Sequence, residues 1–351
     1  MLKVAIIGAA GYTGSELVRL VHCHPELSLE VVAARDNAGK RLDRVLPSTL
    51  GVPGLGDRML ESFDPAQAAE LAKRIDVAFL GLPHAASARA GKALYEAGVR
   101  VVDLSADFRL KSCDVYEKTY GPHPAPELFE HAVYGLPELH RRELANAKLI
   151  AAPGCYPTSA ILPLAPLLHA KLVETRGIII DSKSGVSGAG RTPGPAYHLP
   201  EAAEGIRPYK IAGTHRHVPE IEQELSLAAG EPITVVFTPQ LAPMSRGILS
   251  VAYARLLPGK TADDCRNAAR ALYAQGLVSV LDDGILPDTL WVRGSARAHV
   301  AYALDARTST IIAMAAIDNL AKGASAQAIQ ALNVAMGWKD ALGLPEIAQF
   351  P

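Results

Sequence analysis

In Ala152-Pro153-Gly154-Cys155-Tyr156-Pro157-Thr158-Ser159 a cysteine stands between an apolar run and an amphipathic one. Residues 148–152 read as a strand and 158–168 as a helix, with Pro157 suited to the first helical turn, where its missing N–H costs nothing. The Cys155 sulfur then lies beside unpaired N–H groups at the positive end of a helix. A thiol held there loses its proton more readily and becomes a nucleophile. Further along, Gly213-Thr-His215-Arg-His217-Val-Pro-Glu220 supplies two imidazoles two residues apart, which share one side of an extended segment. A histidine titrates near working pH, so the pair suits the general acid/base that thiol chemistry needs. Metal binding is the competing use of the pair, but no further Cys/His cluster supplies the remaining ligands, and no metal is expected.

A second set of residues suits a nucleotide. Residues 3–7 read as a buried strand, followed by Gly8-Ala-Ala-Gly11-Tyr12-Thr13-Gly14-Ser-Glu and a helical pattern. Glycines at such a turn let the backbone approach a pyrophosphate seated on the helix N-terminus. The spacing is GxxGxxG and not GxGxxG, so its position after the first strand carries much of the argument. The second strand, 29–34, ends in Arg35-Asp36-Asn-Ala-Gly-Lys40. A carboxylate at this strand end would hold a ribose 2′-hydroxyl, whereas a cation suits a 2′-phosphate. Asp36 is able to face a ribose, yet Arg35 comes first and Lys40 follows, which favours NADP.

The elements that must position these groups alternate. A strand at 76–82, a helix at 85–97 and a strand at 100–104 continue the rhythm, implying a parallel, doubly wound sheet. Ligands bind at the carboxyl ends of such strands. There Ser105 is expected to touch the cofactor, and the planar fork of Arg109 to clamp a substrate carboxylate. After the cysteine helix, a strand from residue 177 gives way to a loop of small residues, Ser184 to Gly190, with backbone donors accessible to an anion or a nicotinamide ring. Ser184 lies in it, and with His215 is expected to face the substrate. Alternating segments at 233–240, 248–256 and 298–304 suggest antiparallel strands, hence an α+β second domain. The tail reads as two helices, 309–320 and 325–334, broken at Lys322-Gly323, with Gln327 and Gln330 on the surface of the second.

Composition excludes other classes. The chain has 351 residues, 49 % of them hydrophobic, with a net charge of -1, enough for two domains with cores. A near-neutral balance gives no reason to expect nucleic acid or an anionic membrane as partner, and no apolar run reaches a membrane span. Cys23, Cys113, Cys155 and Cys265 are scattered, as suits thiols in a reducing cytoplasm.

The motifs Gly8-Ala-Ala-Gly-Tyr-Thr-Gly-Ser-Glu, Leu104-Ser-Ala-Asp-Phe-Arg, Tyr134-Gly-Leu-Pro-Glu-Leu, Pro153-Gly-Cys-Tyr-Pro-Thr, Ser184-Gly-Val-Ser-Gly-Ala-Gly-Arg and His215-Arg-His-Val-Pro-Glu-Ile occur in this order. Together they resemble the N-acetyl-γ-glutamyl-phosphate reductases, NADPH-dependent enzymes of arginine biosynthesis. The resemblance implies an α/β fold: a Rossmann-type parallel doubly wound sheet (1–152 and 325–351) plus an α+β catalytic domain of the semialdehyde/glyceraldehyde-3-phosphate dehydrogenase type (153–324). It implies Cys155 as nucleophile forming a thioester, His217 as acid/base, Gly11 to Gly14 as the pyrophosphate loop, and Ser187, Gly188 and Ala189 beside the cofactor. A homo-oligomer, dimer or tetramer, follows from the same likeness. The chain departs from it at Ala152, where many members carry asparagine.

Three other readings share some of these features. A reductase of an N-blocked α-aminoadipyl phosphate, from lysine biosynthesis, differs by one methylene, worth only about 1–3 kcal/mol in a pocket. An aspartate-semialdehyde dehydrogenase fits the Pro-Gly-Cys-Tyr-Pro stretch less well. A non-catalytic NADP-binding sensor has no use for both Cys155 and His217.

Overall fold

Short apolar strands alternating with helices build a six-stranded, wholly parallel sheet from the first part of the chain. Its strands are β1 (Leu2–Ile7), β2 (Leu27–Ala33), β3 (Val77–Leu80), β4 (Arg100–Asp103), β5 (Ala132–Tyr134) and β6 (Leu149–Ala151), in the order β2-β1-β3-β4-β6-β5. The order reverses at β1, which is flanked by β2 and β3, and this switch point opens a crevice beyond the strand ends. A second, seven-stranded mixed sheet runs β11-β12-β13-β10-β7-β9-β8. It comprises β7 (Ile178–Gly185), β8 (Arg207–Pro208), β9 (Val235–Ala242), β10 (Ile248–Arg255), β11 (Val278–Val280), β12 (Ala298–Asp305) and β13 (Thr310–Ile317). The helices that matter for the site are α1 (Tyr12–Cys23), α2 (Ala86–Glu96), α3 (Cys155–His169), α4 (Val218–Ala229) and α5 (Ala326–Ala335). The structure is a computed structural model and describes residues 1–191, 194 and 197–350.

The chain divides into two units, Met1–Pro153 with Ala324–Leu344, and Gly154–Gly323 with Pro345–Pro351. The tail from 345 therefore groups with the second unit, where the sequence assigns it to the first. Its backbone explains this: Pro345 O accepts from Ala296 N–H, Gln349 N–H donates to Arg293 O, and Glu346 pairs with Arg297.

The expected helix over 309–320 is instead the strand β13. It lies between β10 and β12 with Ile311, Ala313, Ala315, Ala316 and Ile317 all fully buried. A strand covered on both faces loses its alternation, and its alanines carry a helical propensity that the sheet overrides. The second expected helix exists as α5, but Gln327 and Gln330 are fully buried and not on its surface. Gln327 donates to Gly135 O at 2.8 Å, and Gln330 to Glu138 and Asp340 at 3.0 Å. Buried amides of this kind must be hydrogen-bonded, and they fasten α5 inside the first unit.

α3 is buried from Tyr156 to Leu168 although Pro163 and Pro166 lie within it. Pro166 has no N–H for Leu162 O, and the Tyr273 hydroxyl donates there instead, at 2.7 Å; the Tyr302 hydroxyl donates to Pro163 O at 3.0 Å. The Tyr273 phenol thus supplies a bond that Pro166 cannot make, and the Tyr302 phenol adds a second tie to the same helix.

Candidate active site

α3 begins at Cys155 itself, three residues earlier than the sequence suggests, with Gly154 as N-cap and Pro157 in the first turn. No side chain caps this end and no acidic residue occupies its first turn. The sulfur therefore stands where the helix dipole favours negative charge. Cys265 differs: it is buried, and burial pushes its pKa up to about 12.

The residues before and around Cys155 are tightly tied. Gly154 N–H donates to the buried Glu220 carboxylate at 2.9 Å. Ser159 on α3, Ser250 on β10 and Ser182 on β7 form a buried hydroxyl chain at 2.7 and 2.6 Å, anchoring the helix start to the sheet. Behind it, a Cβ placed on Gly323 would lie 2.8 Å from the Cys155 Cβ. The Tyr156 hydroxyl donates to Gln240 O and accepts from Tyr209. Burial raises both phenols, that of Tyr209 to about 12.

His215 and His217 do meet, although not on an extended segment. Gly213 turns the chain at φ +77°, and Pro219 starts α4 directly after His217, which is its N-cap. A proline in the first turn is pre-set for helix and leaves no room for a strand. The two rings still sit 4.9 Å apart, both edge-on to Tyr156. His215 Nδ1 accepts from His217 N–H at 3.1 Å, and His217 O accepts from Ile221 N–H at 3.0 Å, so the His217 backbone is held at both ends. Burial lowers the His215 pKa to about 4, with Lys210 and Arg216 adding to the effect. His215 is thus neutral near pH 7, with its Nδ1 on the His217 N–H. Among the described residues no group of three or more His, Cys, Asp or Glu is placed to hold a metal, and no helix is long and apolar enough to cross a membrane.

In the first unit, Gly8 follows β1 at φ +95°, and a Cβ there would come within 2.3 Å of Gly81 O; one on Gly14 would meet Gly8 O at 2.3 Å. Packing therefore demands both glycines. Gly11 is different: a Cβ there meets nothing nearer than Gly8 O at 3.8 Å. It caps α1, whose first turn (Tyr12, Thr13, Gly14) has no capping side chain and no acid. This open, N–H-lined cradle fits a pyrophosphate. Beside it lies a pocket of about 420 Å³ lined by Gly8, Ala34, Arg35, Phe63, Asp64 and Arg89 among others. Arg35 is in this lining; Lys40 is not, and its Nζ donates to Asn37 at 3.1 Å.

Several expected contacts have internal partners. The Ser105 hydroxyl donates to Asp103 at 2.6 Å and accepts from Asp107 N–H at 3.0 Å. Arg109 is buried and donates to Ala152 O at 2.7 Å and Leu104 O at 2.8 Å. Ala152 N–H in turn donates to Asp103 O at 2.8 Å, so the backbone at the departure from asparagine is held from both sides. Ser184 belongs to β7, which runs to Gly185 where a loop is expected; its hydroxyl donates to Gly185 O at 3.0 Å. Ser187, Gly188 and Ala189 form a short 3₁₀ turn, with Ser187 accepting from Asn319 at 2.9 Å.

Sequence reasoning misses the buried carboxylates. Asp107 accepts from Ala85 and Ala88 N–H at the start of α2, where Ala85 stands at φ +62°, and from the Tyr116 hydroxyl at 2.6 Å. Asp103 is fully buried; burial, then the charge of Asp107, raises its pKa to about 6. Asp103 ends β4 and Asp107 follows it in the Leu104–Arg109 motif, and that place at the strand end is the signal that could have found them.

Comparison with known proteins follows the same division. Residues 3–147 match the semialdehyde dehydrogenase NAD binding domain and residues 155–319 the semialdehyde dehydrogenase dimerisation domain. The chain is 47 % identical to an N-acetyl-gamma-glutamyl-phosphate reductase of Geobacter sp. (strain M21), and 48 % identical to one of Syntrophobacter fumaroxidans, covering 100 % of each chain. The fold is that of Vibrio cholerae aspartate semialdehyde dehydrogenase II (TM-score 0.72, 17 % identity, 96 % of this chain and 98 % of that one). A Candida albicans aspartate semialdehyde dehydrogenase with NADP is similar at TM-score 0.66 and 17 % identity, over 95 % and 98 % of the two chains. With its motifs, its two sheets and its full-length likeness in agreement, the chain belongs to the N-acetyl-γ-glutamyl-phosphate reductases of the semialdehyde dehydrogenase family.

Proposed function

We propose that this chain reduces N-acetyl-γ-glutamyl phosphate with NADPH to N-acetylglutamate 5-semialdehyde and phosphate in arginine biosynthesis, with Cys155 as nucleophile and His217 as acid/base. One observation carries the site assignment: the Cys155 thiol heads a 15-residue helix whose N-cap, Gly154, offers no side chain and whose first turn holds no acid. The relatives' shared name supports the substrate.

In the attack the Cys155 sulfur bonds to the acyl carbon and the C–O bond to phosphate breaks, leaving a thioester. His217 accepts the thiol proton as this happens. First-turn N–H groups of α3 steady the negative charge that grows on the carbonyl oxygen. A thioester accepts hydride better than a carboxylate, which is the reason for the cysteine. Bound NADPH supplies that hydride. His217 then moves the hydroxyl proton as the C–S bond breaks, and Cys155 is restored. The Gly8, Gly11, Tyr12, Thr13 and Gly14 turn would hold the cofactor pyrophosphate, and Arg35 its 2′-phosphate. The reducing cytoplasm is the compartment that keeps such a thiol active.

A second copy is the proposed partner. Val236, Ile179 and Tyr253 are cross-strand neighbours on β9, β7 and β10, exposed at 57 %, 45 % and 37 %. An apolar row of this kind on one sheet face suits a self-complementary interface, in keeping with the dimerisation domain matched there.

The test is the reverse reaction, phosphate-dependent reduction of NADP by N-acetylglutamate semialdehyde, beside the aminoadipate homologue. Turnover that needs phosphate, prefers the shorter aldehyde and vanishes in Cys155→Ser supports the assignment. Preference for the longer aldehyde, or full turnover in Cys155→Ser, overturns the substrate or the covalent step respectively.

A further inference from the structure

The pocket beside the glycine turn holds a cation that the sequence does not single out. Its floor is formed where β1 and β2 end, at Ile7, Ala33 and Ala34, and its walls by Phe63, Pro65, Leu82 and the α2 residues Ala86 and Ala90. That apolar part has the character of an aromatic base site. Two guanidinium groups share the lining: Arg35, just after β2, and Arg89, on the exposed face of α2. Neither side chain has a hydrogen-bond or ion-pair partner among the described residues, whereas other arginines nearby are engaged: Arg41 with Asp43, Arg74 with Glu61, and Arg58 with Gly54 O and Glu30 O. The carboxylate in the lining, Asp64, accepts from Ala66 N–H as the cap of the turn that follows it. Asp36, the residue suited to a ribose 2′-hydroxyl, is exposed and not in the lining.

Two like charges in one pocket repel unless an anion joins them. A phosphate monoester on the ribose is the group that both forks match, each through parallel N–H donors. Resting on the reading of this unit as the NADPH-binding one, we infer that Arg89 is a specificity-determining residue that, with Arg35, clamps the cofactor 2′-phosphate, in the place that the sequence assigns to Lys40.

Binding of NADPH, NADH and adenosine 2′,5′-bisphosphate to the purified full chain tests this, by nicotinamide fluorescence and calorimetry. Arg89→Ala should weaken NADPH and the bisphosphate by about tenfold or more, the scale of a lost charge-assisted hydrogen bond. NADH affinity should change less than about twofold, and Arg89→Lys should fall between parent and Ala. Equal losses for NADPH and NADH would overturn the inference and make Arg89 a base-stacking group. Unchanged NADPH affinity in a folded Arg89→Ala protein would also overturn it while leaving the cofactor reading in place. If the parent chain binds neither nucleotide, the reading beneath it falls as well.

Discussion

Gly323 lies against Cys155, the proposed nucleophile, with no room for a side chain, and Gly323→Ala measures what that closeness is for. The added Cβ would sit 2.8 Å from Cys155 Cβ, 3.3 Å from Cys155 Cα and 3.2 Å from Asp318 O. Ordinary carbon contacts begin near 3.5 Å, so Cys155 or the Ala321–Ser325 turn must give way by roughly 0.7 Å. Gly323 is not at positive φ. Alanine is therefore tolerable to the backbone and gains up to about 1 kcal/mol of helical propensity. Overpacking costs about 1–3 kcal/mol, so crowding wins and the variant is less stable by about 1–2 kcal/mol. The larger effect is on chemistry. A displacement near 1 Å at a reacting atom costs on the order of 10²-fold in rate. The assay pairs initial rates of the reverse reaction with urea unfolding and a Kd for NADPH. The expected result is a rate loss of tens-fold or more with near-parental NADPH affinity. Parental turnover with parental stability would show that the turn yields freely and that Gly323 positions nothing.

Tyr273→Phe removes the donor to Leu162 O, which Pro166 cannot replace, and should cost about 1–3 kcal/mol in chemical denaturation; an unchanged midpoint would mean that water fills the gap. His215 titrates near 4 in the fold against 6.5 unfolded, so the unfolded chain binds the extra proton and stability falls as pH drops through that window. Between pH 7 and 5 this amounts to at most about 2 kcal/mol. Asp103, raised to about 6, acts in the opposite direction over the same range, so the quantity to compare is parent against His215→Phe. A steeper acid loss in the variant would refute the assignment. Ile179→Glu, in the middle of the exposed apolar row, should shift sedimentation from oligomer to monomer, and an unchanged oligomer would place the interface elsewhere.

The parts legible in the sequence are those set by local rules. Gly8 and Gly14 announced a strand-to-helix turn because backbone crowding there admits nothing larger, and Pro-Gly-Cys-Tyr-Pro marked a helix start. What failed were features decided by distant chain. β13 looked helical because burial on both faces erased its alternation. Gln327 and Gln330 looked like surface because nothing in their spacing reveals Gly135, Glu138 or Asp340 as partners. The His215/His217 pair was expected on a strand and came together through a turn, because Pro219 begins a helix at once. Arg89 was passed over since a lone arginine on a helix carries no motif; only the pocket gives it a role.

The prolines of α3 also bear on when the helix proposed to activate Cys155 can form during synthesis. The phenols that serve Leu162 O and Pro163 O come from Tyr273 and Tyr302, 111 and 139 residues later in the chain. A ribosome must therefore make most of the second unit before the helix behind Cys155 can hold its shape. Until then Cys155 has no settled helix behind it to provide a fixed dipole. If Cys155 is the nucleophile proposed above, the nascent chain is spared a reactive sulfur during the roughly ten to thirty seconds that this stretch takes to synthesise. Pulsed thiol labelling of refolding protein would show Cys155 gaining its reactivity only as the Tyr273 and Tyr302 bonds form.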